Sequence, residues 1–215
     1  MISRAWLCAI TFVLPLTAYA AASSSSADLA ATILSKMAQP APAQTPFVQV
    51  SYQGMLDRPL VVSGQMKWLG GDSLERDVEQ PYQETAKIGA GELSVQRGNS
   101  AVRRIPVSRA PQMGAILAGF RALLGGNAAL LSQDFDVAAQ GNRTAWVLTM
   151  RPRAQASKSH VQSIVIDGRG NAPRCMTLSE ADGDTTITLL GAMAKAGLPS
   201  AAPQQSALAA LCRNG

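Results

Sequence analysis

The stretch from Phe47 to Trp68 decides the predicted fold, and its sequence is FVQVSYQGMLDRPLVVSGQMKW. In its first part the apolar residues Val48, Val50 and Tyr52 alternate with polar residues, which places them on one face of a strand. The alternation resumes after a turn around Pro59. The apolar residues that share a face of the second strand are Leu60, Val62, Met66 and Trp68. The stretch therefore predicts two β-strands joined by a turn, each with one apolar face.

Short segments with the same period of two continue along the chain and are separated by Gly-rich turns, as in a meandering antiparallel sheet. These predicted strands are 73–79, 82–88, 92–97, 101–107, 135–139, 145–151, 161–167, 174–180 and 185–190. The segments with helical spacing of apolar residues are 27–37, 111–124, 128–131 and 204–211. A sheet of about eleven strands has to curl into a barrel or a half-barrel to bury one face.

The N-terminus has the organisation of a secretory signal peptide. Arg4 precedes an apolar run from Ala5 to Leu16, which is shorter than the roughly 20 residues that a membrane span needs. The small residues Ala18 and Ala20 fit the pattern that a signal peptidase cleaves. We expect cleavage after Ala20 and a soluble mature protein outside the cytoplasm, with a retained membrane anchor as the alternative.

Two cysteines remain once Cys8 leaves with the signal peptide. An even pair in an exported chain predicts one disulfide, here between Cys175 and Cys212, and the alternative is two buried free thiols. The bond would tie the C-terminal helix to a late strand. In that helix we expect Leu208 and Leu211 to face a partner surface.

The positive charge of the chain is spread out. The net charge is +5, charged residues make up 15% and aromatic residues 5% of the sequence, and the arginines and lysines form no block. Nucleic-acid binding favours a dense basic patch with stacking aromatic residues. We therefore predict no nucleic-acid partner.

Groups that carry chemistry are scarce. His160 is the one histidine, it lies in a polar stretch, and no Gly-x-Ser-x-Gly turn or metal-ligand spacing is present. The carboxylate pairs Asp134/Asp136 and Asp182/Asp184 lie beside predicted strand ends, where Asp is a common turn residue. We predict no catalytic residue, no metal and no cofactor, which favours binding over enzymatic activity.

Several stretches, taken in order, carry a family resemblance. They are Pro46–Gln49, Val62–Trp68 leading to Pro81, the apolar Met113–Leu124 followed by Ser132–Phe135, and Thr144–Pro152 with Val161–Gly168. In order and spacing the chain resembles the periplasmic outer-membrane lipoprotein carriers of the LolA-like family from about Ala27 to Leu190. The resemblance implies a mainly β fold, an incomplete antiparallel β-barrel of about eleven strands with short lid helices.

The resemblance also implies a domain organisation. It consists of a signal peptide (1–20), an N-terminal helix and linker (21–46), a half-barrel domain (47–191) with a helical insertion (111–131), and a C-terminal tail with a short helix (192–215). The function it implies is that of a monomeric periplasmic carrier in a Gram-negative bacterium. Such a carrier binds the acyl chains of a lipoprotein or lipid in an apolar concavity and moves them toward the outer membrane. Its partners would be that lipid, an inner-membrane donor protein and an outer-membrane acceptor protein.

The lipid-binding residues that we expect come from the strands and from the insertion. Those on the concave face of the sheet are Val50, Tyr52, Leu60, Val62, Met66, Trp68, Leu148, Ile164 and Ile166, and those on the lid are Met113, Ile116, Leu117 and Phe120. Methionine suits an adaptable pocket wall, and the candidates are Met55, Met66, Met113, Met150 and Met176. The alternative is that these residues belong to an ordinary core.

The chain departs from the family pattern after the second predicted strand and at its end. Typical carriers have an Arg-Pro pair after that strand, and the arginine locks the lid; this sequence has Leu69-Gly70-Gly71 there. Arg58 or Arg76 could substitute. A tail that carries Cys212 replaces the usual C-terminal strand. These departures indicate a divergent member whose cargo could be an envelope lipid rather than a lipoprotein.

Two other functions stay open. One is a periplasmic module on the same scaffold that senses lipid or binds proteins. The other, more remote, is an exported hydrolase of acyl esters.

Overall fold

The computed structural model describes residues 21–71, 73–109, 126, 128–153 and 160–214. The predicted signal peptide and the predicted helix at 111–124 lie outside these residues. In the described chain, eleven strands form one antiparallel sheet. The strands are β1 (Ala43–Tyr52), β2 (Leu60–Gly70), β3 (Ser73–Gln80), β4 (Glu84–Gly89), β5 (Glu92–Arg97), β6 (Arg103–Pro106), β7 (Phe135–Gly141), β8 (Ala145–Pro152), β9 (Val161–Arg169), β10 (Ala172–Glu180) and β11 (Thr185–Leu190).

Short helices flank the sheet. In the same described residues they are α1 (Ala21–Met37), a single 3-10 turn (Val107–Arg109), α2 (Ala128–Asp134), α3 (Ala192–Ala196) and α4 (Gln205–Asn214). The sequence pattern does not predict α3, because a helix of five residues is too short to show a period.

The first and last strands of the chain meet in the middle of the sheet. The order across the sheet is β6-β5-β4-β3-β2-β1-β11-β10-β9-β8-β7, so each half is a meander of consecutive hairpins. Within the described residues the edge strands β6 and β7 do not pair with each other, and the sheet is open. The predicted mainly β fold, an incomplete antiparallel barrel with short helices, is confirmed.

β1 begins at Ala43, inside the segment 39–46 that its prolines predict to be an extended linker. Pro46 has no N–H to donate, which normally keeps proline out of a central strand. However, β11 pairs with β1 only from Phe47 onward, and the Pro46 carbonyl accepts a hydrogen bond of 3.0 Å from the Gly191 N–H. The proline is tolerated because it lies where β1 has a paired strand on one side only.

The two faces of the sheet are covered by different parts of the chain. On one face, which we call the α1 face, α1 and α2 pack on a cluster that includes Leu148 and Ile166. On the other, which we call the tail face, α3 and α4 pack on a cluster that includes Val50 and Ile187. The period of two along each strand assigns successive side chains to opposite faces.

Helix α1 lies on the sheet through one apolar stripe. Ala30, Ile33, Leu34 and Met37 recur at three- or four-residue spacing and are buried. Burying a side chain such as Leu34 contributes about 1.5–3 kcal/mol. At its N-terminal part, the Ser26 hydroxyl donates to the Ala139 carbonyl at 3.0 Å and accepts from the Ala139 N–H at 3.1 Å. Because Ala139 is in the edge strand β7, these bonds fasten the helix to that edge.

A disulfide joins Cys212 of α4 to Cys175 of β10, with 5.7 Å between the two Cα atoms, and the predicted pairing is confirmed. Leu208 of the same helix is fully buried against the tail face. The expectation that Leu208 faces a partner is therefore wrong, because the sheet of the same chain supplies the apolar surface that this helix covers. The Tyr52 hydroxyl, which donates to the Pro203 carbonyl at 2.9 Å, further holds the tail.

The disulfide is expected to contribute strongly to stability. It closes a loop with a sequence separation of 37, for which the chain-entropy model gives about 4 kcal/mol. We predict that reduction, or the double change Cys175→Ala and Cys212→Ala, lowers the free energy of unfolding by about this amount. A lower urea midpoint of unfolding measures the loss. Equal midpoints for oxidised and reduced wild-type protein would contradict this.

Gly168 is expected to be irreplaceable, since a Cβ atom there would overlap the Trp146 indole ring. Trp146 is buried, and its Nε1–H donates to the Gly170 carbonyl at 2.8 Å. Gly168→Ala should displace the ring and destabilise the protein by roughly 1–3 kcal/mol. Thermal unfolding and tryptophan emission measure both effects. The control is Gly54→Ala, where the nearest atom to the added Cβ is 3.9 Å away, and an equal loss in both variants would refute the explanation.

Candidate functional site

The residues expected to line one concave face divide between the two faces of the sheet. In the β1–β2 hairpin Val50 pairs with Val61, and Gln49 pairs with Val62. Val50 and Tyr52 therefore lie on the tail face, opposite to Val62 and its neighbours, and the expectation of a single shared face is corrected. The turn between the strands sets this register, and one residue of shift moves a whole strand to the other face.

The other described lining residues share the α1 face. The pairing runs continuously across it, from Leu148 with Ile166 in the second half of the sheet to Gln49 with Val62 in the first half. The predicted residues on this face are Leu60, Val62, Met66, Trp68, Leu148, Ile164 and Ile166. The predicted lid residues Met113, Ile116, Leu117 and Phe120 lie outside the described residues.

Two apolar clusters occupy the α1 face. The larger lies under α1 and α2 and contains Leu148, Ile164 and Ile166, with Met176 packed against it. The smaller, in β1–β3, contains Phe47, Val62 and Val78, with Met66 packed against it. Met55, which we had also expected at a pocket wall, is instead 96% exposed in the turn between β1 and β2.

A row of polar side chains, which we call the polar row, separates the two clusters in β1 and β11. It consists of Gln49, Ser51, Thr186 and Thr188, which face one another in pairs. The Ser51 and Thr186 hydroxyls lie 3.1 Å apart, and Gln49 Nε2–H donates to Ser51 Oγ at 3.3 Å. The α1 face is therefore apolar on both sides of a hydrogen-bonding centre.

Arg76 of β3 reaches this polar row from the smaller cluster. Its Nη2–H donates to Gln49 Oε1 at 3.2 Å, and its guanidinium carbon lies 4.9 Å from the centre of the Phe47 ring. Burial lowers the pKa of Arg76 below its usual value, while the Glu84 carboxylate, with 3.9 Å between Nη1 and Oε1, opposes the shift. Of the two arginines named as substitutes for the missing family arginine, Arg76 lies on the α1 face and Arg58 is exposed in a turn.

Two buried polar atoms have no hydrogen-bond partner in the described structure, and both belong to the α1 face. They are the hydroxyl oxygen of Thr188, a residue with no exposed surface, and the indole nitrogen of Trp68. Buried polar groups are paired in the great majority of cases, so each exception needs an explanation. Sequence reasoning missed the polar row, although the alternation Thr186, Thr188 in β11 carries the signal.

The tail face of β2–β5 is built differently. Lys67 Nζ lies 2.8 Å from Glu75 and 2.5 Å from Asp77, and Lys87 Nζ lies 2.9 Å from the other Glu75 oxygen. The hydrogen bonds to Asp77 and Glu75 raise the pKa of Lys67. Such half-exposed, paired charges form a solvated surface rather than a binding site.

A cavity of about 270 Å³ opens at the end of β7, β8 and β9 beside the disulfide. Its lining includes Trp146, Asp167 and Arg213. Burial raises the pKa of Asp167, and the positive charge of Arg213, together with those of Arg174 and Arg169, opposes that shift. The cavity is small, and the charged residues Asp167, Arg169 and Arg213 in its lining make it a poor site for acyl chains.

Among the described residues, one acidic group has the geometry to hold a cation. The carboxylates of Glu180, Asp182 and Asp184 lie within 4.8 Å of one another at the β10–β11 turn. Asp184 Oδ1 already accepts the Gly54 N–H at 2.9 Å, and Asp182 Oδ1 accepts the Asp184 N–H at 3.1 Å. These bonds fit the ordinary turn role expected for Asp182 and Asp184.

None of the helices in the described part of the chain has the length and apolar character needed to cross a bilayer.

Comparison with solved structures finds several similar chains. A LolA superfamily protein from Nitrosomonas europaea is 10% identical, with a TM-score of 0.44 over 77% of this chain and 91% of that one. LprF from Mycobacterium bovis is 13% identical, with a TM-score of 0.38 over 83% and 98%. A structure of the Pseudomonas aeruginosa MucA/MucB complex matches at 16% identity, with a TM-score of 0.33 over 83% and 60%.

A comparison with curated proteins gives no significant match. The family model for LolA-like outer membrane lipoprotein carrier proteins, in contrast, matches residues 21–215, the whole chain after the predicted signal peptide. The chain therefore belongs to the LolA-like family of outer-membrane lipoprotein carrier proteins.

Proposed function

We propose that this protein is a periplasmic carrier that binds the acyl chains of a lipid or lipoprotein on the α1 face. It would take them from an inner-membrane donor and deliver them to an outer-membrane acceptor. The observation that carries the proposal is the extent of the apolar α1 face, which continues from the cluster under α1 to the separate cluster of Phe47, Val62 and Val78. Among the described residues α1 packs in the first cluster and not in the second, and acyl chains have the chemistry to pack against both.

The covering of this face suits a removable lid. Within the described residues, apolar contacts and the hydrogen bonds between Ser26 and Ala139 hold α1 on the sheet. No disulfide among these residues ties α1 to the sheet. Each acyl methylene that leaves water contributes about 0.8 kcal/mol, so a bound chain can replace the contacts that a displaced helix loses. Half-buried Met66 and Met176 supply side chains that adapt to irregular shapes.

A second candidate function, a protein-interaction module on the same scaffold, is favoured by one observation. Among the described residues six large apolar side chains are exposed, and five of them lie at the sheet end formed by the β1–β2, β3–β4 and β5–β6 turns. They are Met55, Leu56, Leu60, Tyr82 and Val102. Apolar side chains gathered at one end of a sheet are typical of a surface that contacts another molecule.

The carrier function predicts bound lipid. Mass spectrometry of organic extracts from protein purified out of the periplasm without detergent should find a defined lipid at near-stoichiometric amount. If the purified protein contains no lipid and binds no added fluorescent acyl probe, the carrier proposal is overturned and the interaction module is favoured.

Substitution on the α1 face should abolish binding without unfolding the protein. We predict that Met66→Glu lowers the affinity for an acyl probe by at least about tenfold, because a charge on the apolar face has to be desolvated when the chain binds. Val62→Glu should also destabilise the fold, since Val62 is only 8% exposed, so Met66→Glu is the variant that tests binding.

The matched control is Leu69→Glu in the same strand, where the side chain is 50% exposed and belongs to neither apolar cluster of the α1 face. Circular dichroism and thermal unfolding report whether each variant folds. If folded Met66→Glu binds the probe as tightly as Leu69→Glu, the α1 face is not the acyl site.

The interaction module makes a different prediction. A cysteine introduced at Met55 should form crosslinks to one membrane protein in cells even when lipid binding is abolished. Asn171, which is exposed at the opposite end of the sheet, is the control position. Crosslinks of equal yield at both positions would contradict this alternative.

A further inference from the structure

Charged side chains are distributed unequally between the faces of the first half of the sheet. On the tail face of β2–β6, three cations, Lys67, Lys87 and Arg104, each lie within 3.4 Å of a carboxylate. The strand registers assign four described charged residues of β1–β6 to the α1 face. They are Arg76, Glu84, Arg97 and Arg103. Among the described residues of β1–β6, the α1 face therefore carries three positive charges and one negative charge.

Arg76 shares its nearest carboxylate, that of Glu84, with Arg97. Its Oε2 accepts from Arg97 Nη2 at 2.9 Å and from Arg97 Nε at 3.1 Å, whereas Arg76 Nη1 lies 3.9 Å from its other oxygen. Two guanidinium groups thus share one carboxylate, and the better geometry belongs to Arg97. Arg76 is half-buried and its nearest carboxylate is shared, so the site around it is complementary to a further negative charge.

Hydrogen-bonding capacity surrounds Arg76 on the same face. Gln49 accepts from Arg76 and pairs in register with Thr188, whose buried hydroxyl has no partner in the described structure. On the other side, Met66 pairs with Arg76, and Trp68, with its unpartnered indole N–H, lies two residues further along β2. Oxygen atoms of a ligand at Gln49 would supply acceptors to the guanidinium and to the Thr188 hydroxyl, whereas Trp68 lies further along the sheet, opposite Ala43.

We propose that Arg76 and the polar row bind the anionic headgroup of the carried lipid, a phosphate or a carboxylate, while the two apolar clusters hold its acyl chains. The proposal rests on the proposed carrier function and adds to it a selection among lipids. Arg76 forms charge-assisted hydrogen bonds to the headgroup oxygens, and the Thr188 hydroxyl beside Gln49 donates to a neighbouring oxygen.

The test compares lipids that share acyl chains and differ in headgroup. Short-chain phosphatidylglycerol, phosphatidylcholine and diacylglycerol, together with a fatty acid and its methyl ester, displace a neutral fluorescent acyl probe from the wild-type protein. Phosphatidylglycerol should bind on the order of tenfold more tightly than diacylglycerol, or the fatty acid on the order of tenfold more tightly than its own methyl ester, as one gained charge-assisted hydrogen bond predicts. The larger of these two preferences, each measured at equal chain number, identifies the headgroup as phosphate or carboxylate.

Variants assign the selection to Arg76. Arg76→Gln should lose the preference for anionic lipids and keep its affinity for diacylglycerol, and Arg76→Lys should restore part of the preference. Arg104→Gln removes the same charge from the opposite face and should behave as wild type. Unfolding curves establish that the variants are folded.

The outcomes separate the two proposals. If the protein binds neither the probe nor any of the lipids, the carrier function itself is wrong. If lipids bind but wild-type protein shows no preference for an anion, or if Arg76→Gln retains that preference, the headgroup site is wrong and the carrier function stands.

Discussion

The pairing of β1 with β11 joins the two halves of the sheet, and both faces depend on its register. β1 also pairs with β2, so it is covered by strands on both sides and by side chains on both faces. Phe47 is buried on the α1 face and Val50 on the tail face of the same strand. A shift of one residue in this pairing would exchange the faces of the whole second meander, which would bring Thr188 under the tail and Ile187 under α1.

That register gives the two faces different mechanical properties. The tail face is closed by the Cys175–Cys212 disulfide and by the packing of Leu208, so α4 is tied to the sheet covalently. The α1 face is covered through apolar contacts and two hydrogen bonds in the described chain. Opening the α1 face costs only those contacts, whereas opening the tail face requires breaking a covalent bond. A carrier that must load and release cargo is expected to open on the side without the bond.

Most strands could be predicted from the sequence because alternation and glycine-rich turns are local signals, and β5, from Glu92 to Arg97, matches its predicted bounds at both ends. The division of the candidate site between two faces could not be predicted from the sequence. It depends on how the seven residues between Tyr52 and Leu60 set the hairpin register. Val50 and Tyr52 were placed with Val62 for that reason. The role of Arg76 was equally inaccessible, since a single arginine in a polar strand does not reveal which partners the neighbouring strands bring to it.

An arginine beside Phe47 and Val62 needs a reason that stability does not provide. Burial lowers the pKa of Arg76, which means that folding disfavours its charged form, and its amide and shared carboxylate partners offset that cost only in part. An apolar residue of similar length would pack against the Phe47 ring without desolvating a charge. The same reasoning applies to the unpartnered Thr188 hydroxyl, for which a valine has nearly the same shape. These polar groups cost free energy of folding, and they lie on the face proposed for cargo. A cargo that pairs with them explains why they are present.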